Sequence, residues 1–157
     1  MNAKEKFLSR ISRGKPLLAD GAMGTLLHAR GIRLDGCFDA LNLSKPELVS
    51  GLHREYIEAG AEIIQTNTFG ANRFKLSRHG LGDKVKEITA AGVALVKQAR
   101  EASTKNVLIA GDVGPLGVPL APFGRVQPEE ARAAFEEQIS ALAEAGVDLI
   151  LIETMTD

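Results

Sequence analysis

The sequence predicts an α/β fold built on a parallel sheet, and three observations carry that prediction. Four apolar segments recur along the 157 residues. Helical sequence separates them, and the strand-to-helix loops are longer than the helix-to-strand connections. The apolar runs are continuous or nearly so, as expected of strands covered on both faces rather than one.

Taken in order, the N-terminal stretch MNAKEKFLSRISRGK is basic and mildly amphipathic. It lacks the apolar core of a secretory signal and reads as a short surface helix. The first strand is PLLAD, Pro16 to Asp20. After a long polar loop, Ser44-Lys45-Pro46-Glu47 reads as a capping box with proline in the first turn. Leu48, Leu52 and Tyr56 then follow at i, i+4 and i+8, and Gly60 stands where a C-terminal glycine belongs. This phasing puts His53 on the exposed side.

The second strand is AEIIQTN, Ala61 to Asn67. A helix from about Lys84 to Ala102 turns Val85, Ile88, Leu95 and Ala99 inward. The third strand is NVLIAGD, Asn106 to Asp112, followed by the glycine- and proline-rich loop GPLGVPLAPFGRV. The next helix opens at Gln127-Pro128-Glu129-Glu130, with acids at the positive end of its dipole. Its apolar stripe is Phe135, Ile139 and Leu142, and Gly146 ends it. The fourth strand is VDLILIE, Val147 to Glu153. Long loops at the C-terminal ends of strands are where α/β proteins bind ligands.

Composition narrows the class. The chain is 45% hydrophobic and 25% charged, as a globular domain is. A formal net charge of −1 without a basic stripe argues against nucleic acid or an anionic membrane as partner. The longest apolar runs fall far short of the roughly 20 residues of a membrane span. A single cysteine, Cys37, excludes an internal disulfide framework and suits a reducing cytoplasm.

All four strands end in a polar residue: Asp20, Asn67, Asp112 and Glu153. In a parallel sheet these ends share one rim, so three carboxylates would converge there. A cation, a substrate ammonium or loop N–H donors would have to offset them. The alternative is that each caps its own turn, as Asp and Asn often do. In LLADGAMGTLL, Gly21 and Gly24 allow a tight turn whose N–H groups could face an anion. A doubly wound nucleotide-binding fold would also suit the strand-helix alternation, but the three-glycine phosphate fingerprint is missing after the first strand.

The segments DGAMGT, NLSKPELV, HREYIEAGAEIIQTNTFGANRFKL, GDVGPLG and GVDLILIETM occur together and in this order. In that combination the chain, from about Leu17 onward, resembles homocysteine S-methyltransferase domains. These form the N-terminal part of cobalamin-dependent methionine synthases and of bifunctional homocysteine methyltransferase/methylenetetrahydrofolate reductases. HGLGDKV and PLAPFGRVQPEEA look most like the bifunctional type. The resemblance implies the N-terminal half, roughly (β/α)4, of a TIM-type (β/α)8 barrel, with residues 1–157 as a single partial domain. It implies methyl transfer to the homocysteine thiol, giving methionine. Asp20 and Glu153 match the acids that hold the substrate ammonium. The backbone of Gly21, Ala22, Gly24 and Thr25 matches the loop near its carboxylate, and Asn67, Thr68 and Phe69 match a pocket-lining strand end. Asp112 has no role that the resemblance assigns.

The family's zinc, which binds the substrate sulfur as thiolate, is held by three cysteines from later segments that this chain lacks. Cys37 matches no zinc spacing and is expected to pack under the first long loop. His28, His53 and His79 read as surface or capping residues. Methyltetrahydrofolate, methylcobalamin and S-methylmethionine all serve as donors in relatives. A barrel of this type needs about 250 residues, so the chain reads as a truncated domain. Its open edges call for a C-terminal half barrel or self-association. The competing expectation is a non-catalytic module that binds an amino acid weakly.

Overall fold

The computed structural model describes residues 3–12 and 14–155. The parts of the predicted N-terminal helix at Met1, Asn2 and Arg13, and the chain end at Thr156 and Asp157, lie outside the described residues. Helix α1 spans Ala3–Ile11. Between it and the sheet edge, Arg10 donates to the carbonyls of Glu62 and Asn106.

Three parallel strands form the sheet: β1 (Ile63–Gln65), β2 (Leu108–Val113) and β3 (Leu149–Ile152), in the order β1-β2-β3. Strands β1 and β3 lie inside predicted apolar runs, and β2 runs one residue past its predicted end at Asp112, to Val113. The first predicted strand is corrected. Pro16 to Asp20 forms only one bridge, Ala19 to Ile63, beside β1. The Leu18 carbonyl accepts from both Glu62 N and Ile63 N, and Asp20 N donates to Ile63 O. Pro16 brings no N–H to extend that ladder.

Seven helices are described. The loop after Asp20 contains α2 (Gly24–Ala29) and α3 (Leu41–Ser44), and then α4 runs Pro46–Ala59. The segment after β1 holds α5 (Arg73–Ser77) and α6 (Val85–Glu101). Helix α7 is Pro128–Ala145. Gly60 and Gly146 take the left-handed conformation predicted for them. Lysines finish two of these helices: Lys105 Nζ donates to Ile57 O and Glu58 O, and Lys97 Nζ to Ala145 O.

Three local expectations change. Ser44 does not cap α4, because its hydroxyl donates back to Ala40 O within α3. The capping box stands instead at α7, between Gln127 and Glu130. The buried face of α4 is Val49, Leu52, His53 and Ile57, rotated from the predicted face, so His53 is fully buried rather than exposed. Helix α7 buries Ala131, Ala134, Gln138, Ala141 and Leu142, leaving Phe135 and Ile139 at the margin of the core.

Helices α4, α6 and α7 cover one face of the sheet. Ile57, Ile64, Val96, Ala99 and Ile109 form one core cluster there. Val93, Val113 and Leu142 form another, with Ile150 packed against them. Residues 109, 111 and 113 of β2 therefore face the helices, and Ala110 and Asp112 face the opposite side. Among the described residues, no helix is long and apolar enough to cross a membrane.

Candidate functional site

The C-terminal ends of the strands and the loops beyond them enclose an open cavity of about 810 Å³. Asp20, Asp112 and Glu153 all line it, as the shared-rim reading expects. Asn67 and Phe69 line it too, along with Gly21, Ala22, Gly24 and Thr25 from the turn that opens α2.

Asp20 is fixed by the strand beside it. Its Oδ2 accepts from Gln65 N at 2.9 Å and its Oδ1 from Gln65 Nε2 at 3.1 Å. Burial nonetheless pushes this carboxyl up to about 6, and the nearby Glu153 charge adds to the rise. Glu153 is carried on the end of β3, where its N–H donates to Val113 O. Thr154 then turns the chain away with a φ of 57°, a left-handed conformation rare for a β-branched residue.

Gly21 and Gly24 are needed for close approach rather than for unusual dihedrals. A Cβ on Gly21 would stand 3.1 Å from the Tyr56 hydroxyl, and one on Gly24 would stand 3.2 Å from the Phe38 ring. Tyr56 also donates to Ala22 O at 3.0 Å, which ties the turn to α4.

Behind the cavity wall the polar groups are densely paired. Asn67 Nδ2 donates to Phe38 O and to Asn42 Oδ1, while Asn42 Nδ2 donates to Asn67 O and Ile88 O. Thr68 is corrected. It is fully buried behind the wall and does not line the cavity. Its hydroxyl donates to Asp112 O at 2.8 Å. Since that uses its only proton, the 2.6 Å contact with Thr66 must be donated by Thr66, whose oxygen also accepts from Asp112 N. The side chain clamps β1 to β2.

Several lining residues carry no motif of their own. Asp39 is buried, accepts from Gly70 N at 2.8 Å, and is pushed up to about 6 by burial. Its only sequence cue is an acid set between Phe38 and Ala40. Lys75 lies over the Phe69 ring, 4.2 Å from its centroid, and burial lowers its ammonium. Arg78 and His79 stand on the same side. The cavity is thus lined by both acids and bases, with Asp39 and Asp112 near enough to Lys75 to feel its charge.

Helix α5 delivers Lys75, and Asn72 caps that helix by accepting from Phe74 N and Lys75 N. Asn72→Ala is expected to cost about 1–2 kcal/mol. Urea unfolding checks this, as a lowered midpoint at unchanged slope.

His28, in the last turn of α2, is exposed, and bonds through Nδ1 to Ile32 O beyond the helix end. Cys37 is half-buried, packs against the cluster of Ala71, Leu76, Val85 and Ile88, and borders the cavity. Burial pushes its thiol up, opposite to what favours a thiolate. Among the described residues, no group of three or more His, Cys, Asp or Glu is placed to hold a metal ion.

A family model described as homocysteine S-methyltransferase matches residues 17–157. The methionine synthases of Mycobacterium tuberculosis and Mycobacterium leprae are 32% and 31% identical over 150 residues, 90% of this chain. The chain spans only 12% of either protein. Among solved structures, the metallated form of the homocysteine methyltransferase MmuM from Escherichia coli superposes with a TM-score of 0.79 at 31% identity. That match covers 93% of this chain and 57% of the other. The oxidised form of the same enzyme gives 0.74 at 32% identity, covering 85% and 51%.

Proposed function

The chain belongs to the homocysteine S-methyltransferase family, and from that premise we propose that it supplies the amino-acid-gripping half of an enzyme that methylates homocysteine to methionine. The observation that carries this reading is the pairing of Asp20 and Glu153 across one cavity, beside the turn at Gly21 to Thr25. Two carboxylates facing one opening suit a substrate ammonium. The backbone of the glycine turn is the proposed seat of its carboxylate, with Asn67 and Phe69 forming the side wall.

In this reading the sheet is the first half of a (β/α)8 barrel. Three features support that: the strands are parallel and adjacent in chain order, the helices of the core lie on one face, and the functional rim is the C-terminal one. The two sheet edges carry Leu18 and Ile152, 59% and 62% exposed. We propose a C-terminal half barrel as the partner that covers them, with self-association as the outcome when that half is withheld.

A thiol with a pKa near about 8.5 is mostly protonated at neutrality and is then a weak nucleophile. Zinc would supply the thiolate, but the described residues do not fit that ion. Cys37 stands without a second thiol, and the cavity's other anionic groups are carboxylates. The proposed ligands therefore come with the C-terminal half, and this chain's own part is to hold the amino acid. The reading is of a cytoplasmic protein whose methyl donor is methyltetrahydrofolate, methylcobalamin or S-methylmethionine.

Mixing decides between this reading and a non-catalytic amino-acid module. The purified chain alone should bind L-methionine, carry no stoichiometric zinc and form no methionine. Adding a C-terminal half barrel from a relative should restore both zinc and turnover with one of the three donors. Stoichiometric zinc in the chain alone would overturn the placement of the ligands. Binding with no turnover in any mixture would leave the module.

A further inference from the structure

One polar atom at the cavity wall is not used by the reading above. Asp112 Oδ1 is buried without a hydrogen-bond partner, on a residue only 5% exposed. The backbone around it is fully engaged: Asp112 N donates to Thr66 Oγ1, and Asp112 O accepts from Thr68 Oγ1 and Gln138 Nε2. Strand alternation aims the side chain away from the helices, because Gly111 packs on Leu142 of α7. A buried acceptor left bare on a ligand cavity calls for a donor from the ligand.

The charged groups that act on it are Glu153 at the end of β3, Asp39 in the loop before α3, Asp20 beside β1, and Lys75 on α5. Three carboxylates against one ammonium disfavour a fourth negative charge in the same space. An arriving substrate ammonium reverses that balance.

We propose that Asp112 is a third carboxylate of the amino-acid grip, one that holds a proton until the substrate ammonium arrives and then releases it to solvent. This rests on the amino-acid reading of the same cavity. The bookkeeping closes: one O–H proton leaves to water and one N–H···O bond forms to the Asp112 carboxylate. The amino acid enters as a net-neutral zwitterion, so the cavity becomes one unit more negative, matching the proton released. The environment agrees, since burial and then the charges of Glu153, Asp39 and Asp20 push this carboxyl up to about 7, with Lys75 opposing. The consequence is that affinity for the amino acid falls as the solution is acidified.

L-Methionine is the probe, because it has no thiol to exchange protons of its own. Calorimetric titration of the chain at pH 7, in two buffers of different ionisation enthalpy, should show about half a proton released per methionine bound. From pH 8 to pH 6 the Kd should rise about tenfold through Asp112, with about a further twofold through Asp20. Asp112→Asn should keep only that twofold change and should lose the proton release at pH 7. Its cooperative urea unfolding verifies that the variant is folded, and the proton count on the unaltered chain stands without any variant. Binding with no proton release at pH 7, or an Asp112→Asn variant with the unaltered pH dependence, overturns the inference. Absence of methionine binding at pH 8 removes the amino-acid reading, and this inference with it.

Discussion

Asp20→Asn is expected to weaken L-methionine binding roughly 30- to 150-fold at pH 8, equivalent to about 2–3 kcal/mol for one charge-assisted hydrogen bond. Asparagine preserves shape and one acceptor. The neighbouring Gln65 amide can turn to satisfy the new NH₂, because its present bond is a single Nε2 donation to Oδ1. The backbone bond from Gln65 N can be kept by the asparagine oxygen. What is lost is the negative charge, so affinity should fall while stability should hold or rise, because burial already disfavours the ionised carboxyl. Calorimetry and urea unfolding on the same sample separate the two. A Kd within threefold of the unaltered chain would sink the assignment of Asp20 to the ammonium.

The second large effect concerns acid stability. His53 is fully buried, both ring nitrogens lack partners, and burial lowers its imidazolium to about 4. The unfolded chain would titrate near about 6.5. The folded state therefore favours the neutral ring. Its contribution is complete above about pH 6.5 and is lost as pH falls from there toward 4, by about 3 kcal/mol in all. Asp20, Asp39 and Asp112 act with the opposite sign, since their carboxyls are raised in the fold and their protonation favours it. Comparison with His53→Leu isolates the histidine. Urea unfolding should find the variant more stable than the unaltered chain by about 2 kcal/mol at pH 5, relative to their difference at pH 7.5. Parallel stability curves for the two proteins would refute the account.

The strand positions and the acidic rim were readable because each rests on a short-range rule. A continuous apolar run followed by one polar residue locates the strand and the end that borders the cavity, as at Ile109 and Asp112. The last turns of α4 and α7 were readable for the same reason, through Gly60 and Gly146. What escaped depends on neighbours distant in the chain. The phase of α4 is set by contacts on two sides, which draw Val49 and His53 inward and leave Leu48 and Tyr56 half-covered. Ser44 looked like a cap because nothing local reveals that α3 precedes it and uses its hydroxyl. Asp39 and Lys75 enter the site only when the loop before α3 and the helix after β1 fold over the same opening. Thr68 sits in the right motif, but pairing with β2 turns it inward.

The paired asparagines behind the wall carry a consequence for how that wall can move. Asn42 and Asn67 answer each other's donors and acceptors, and the spare proton of each is given to one backbone carbonyl, Ile88 O and Phe38 O. Sliding the end of β1 past α3 by even one residue would orphan several of these groups together. The wall's position is therefore discrete: it has one fully satisfied setting and no graded series of neighbours. On the proposed reading, an amino acid in the cavity would meet a calibrated stop there rather than a compliant surface.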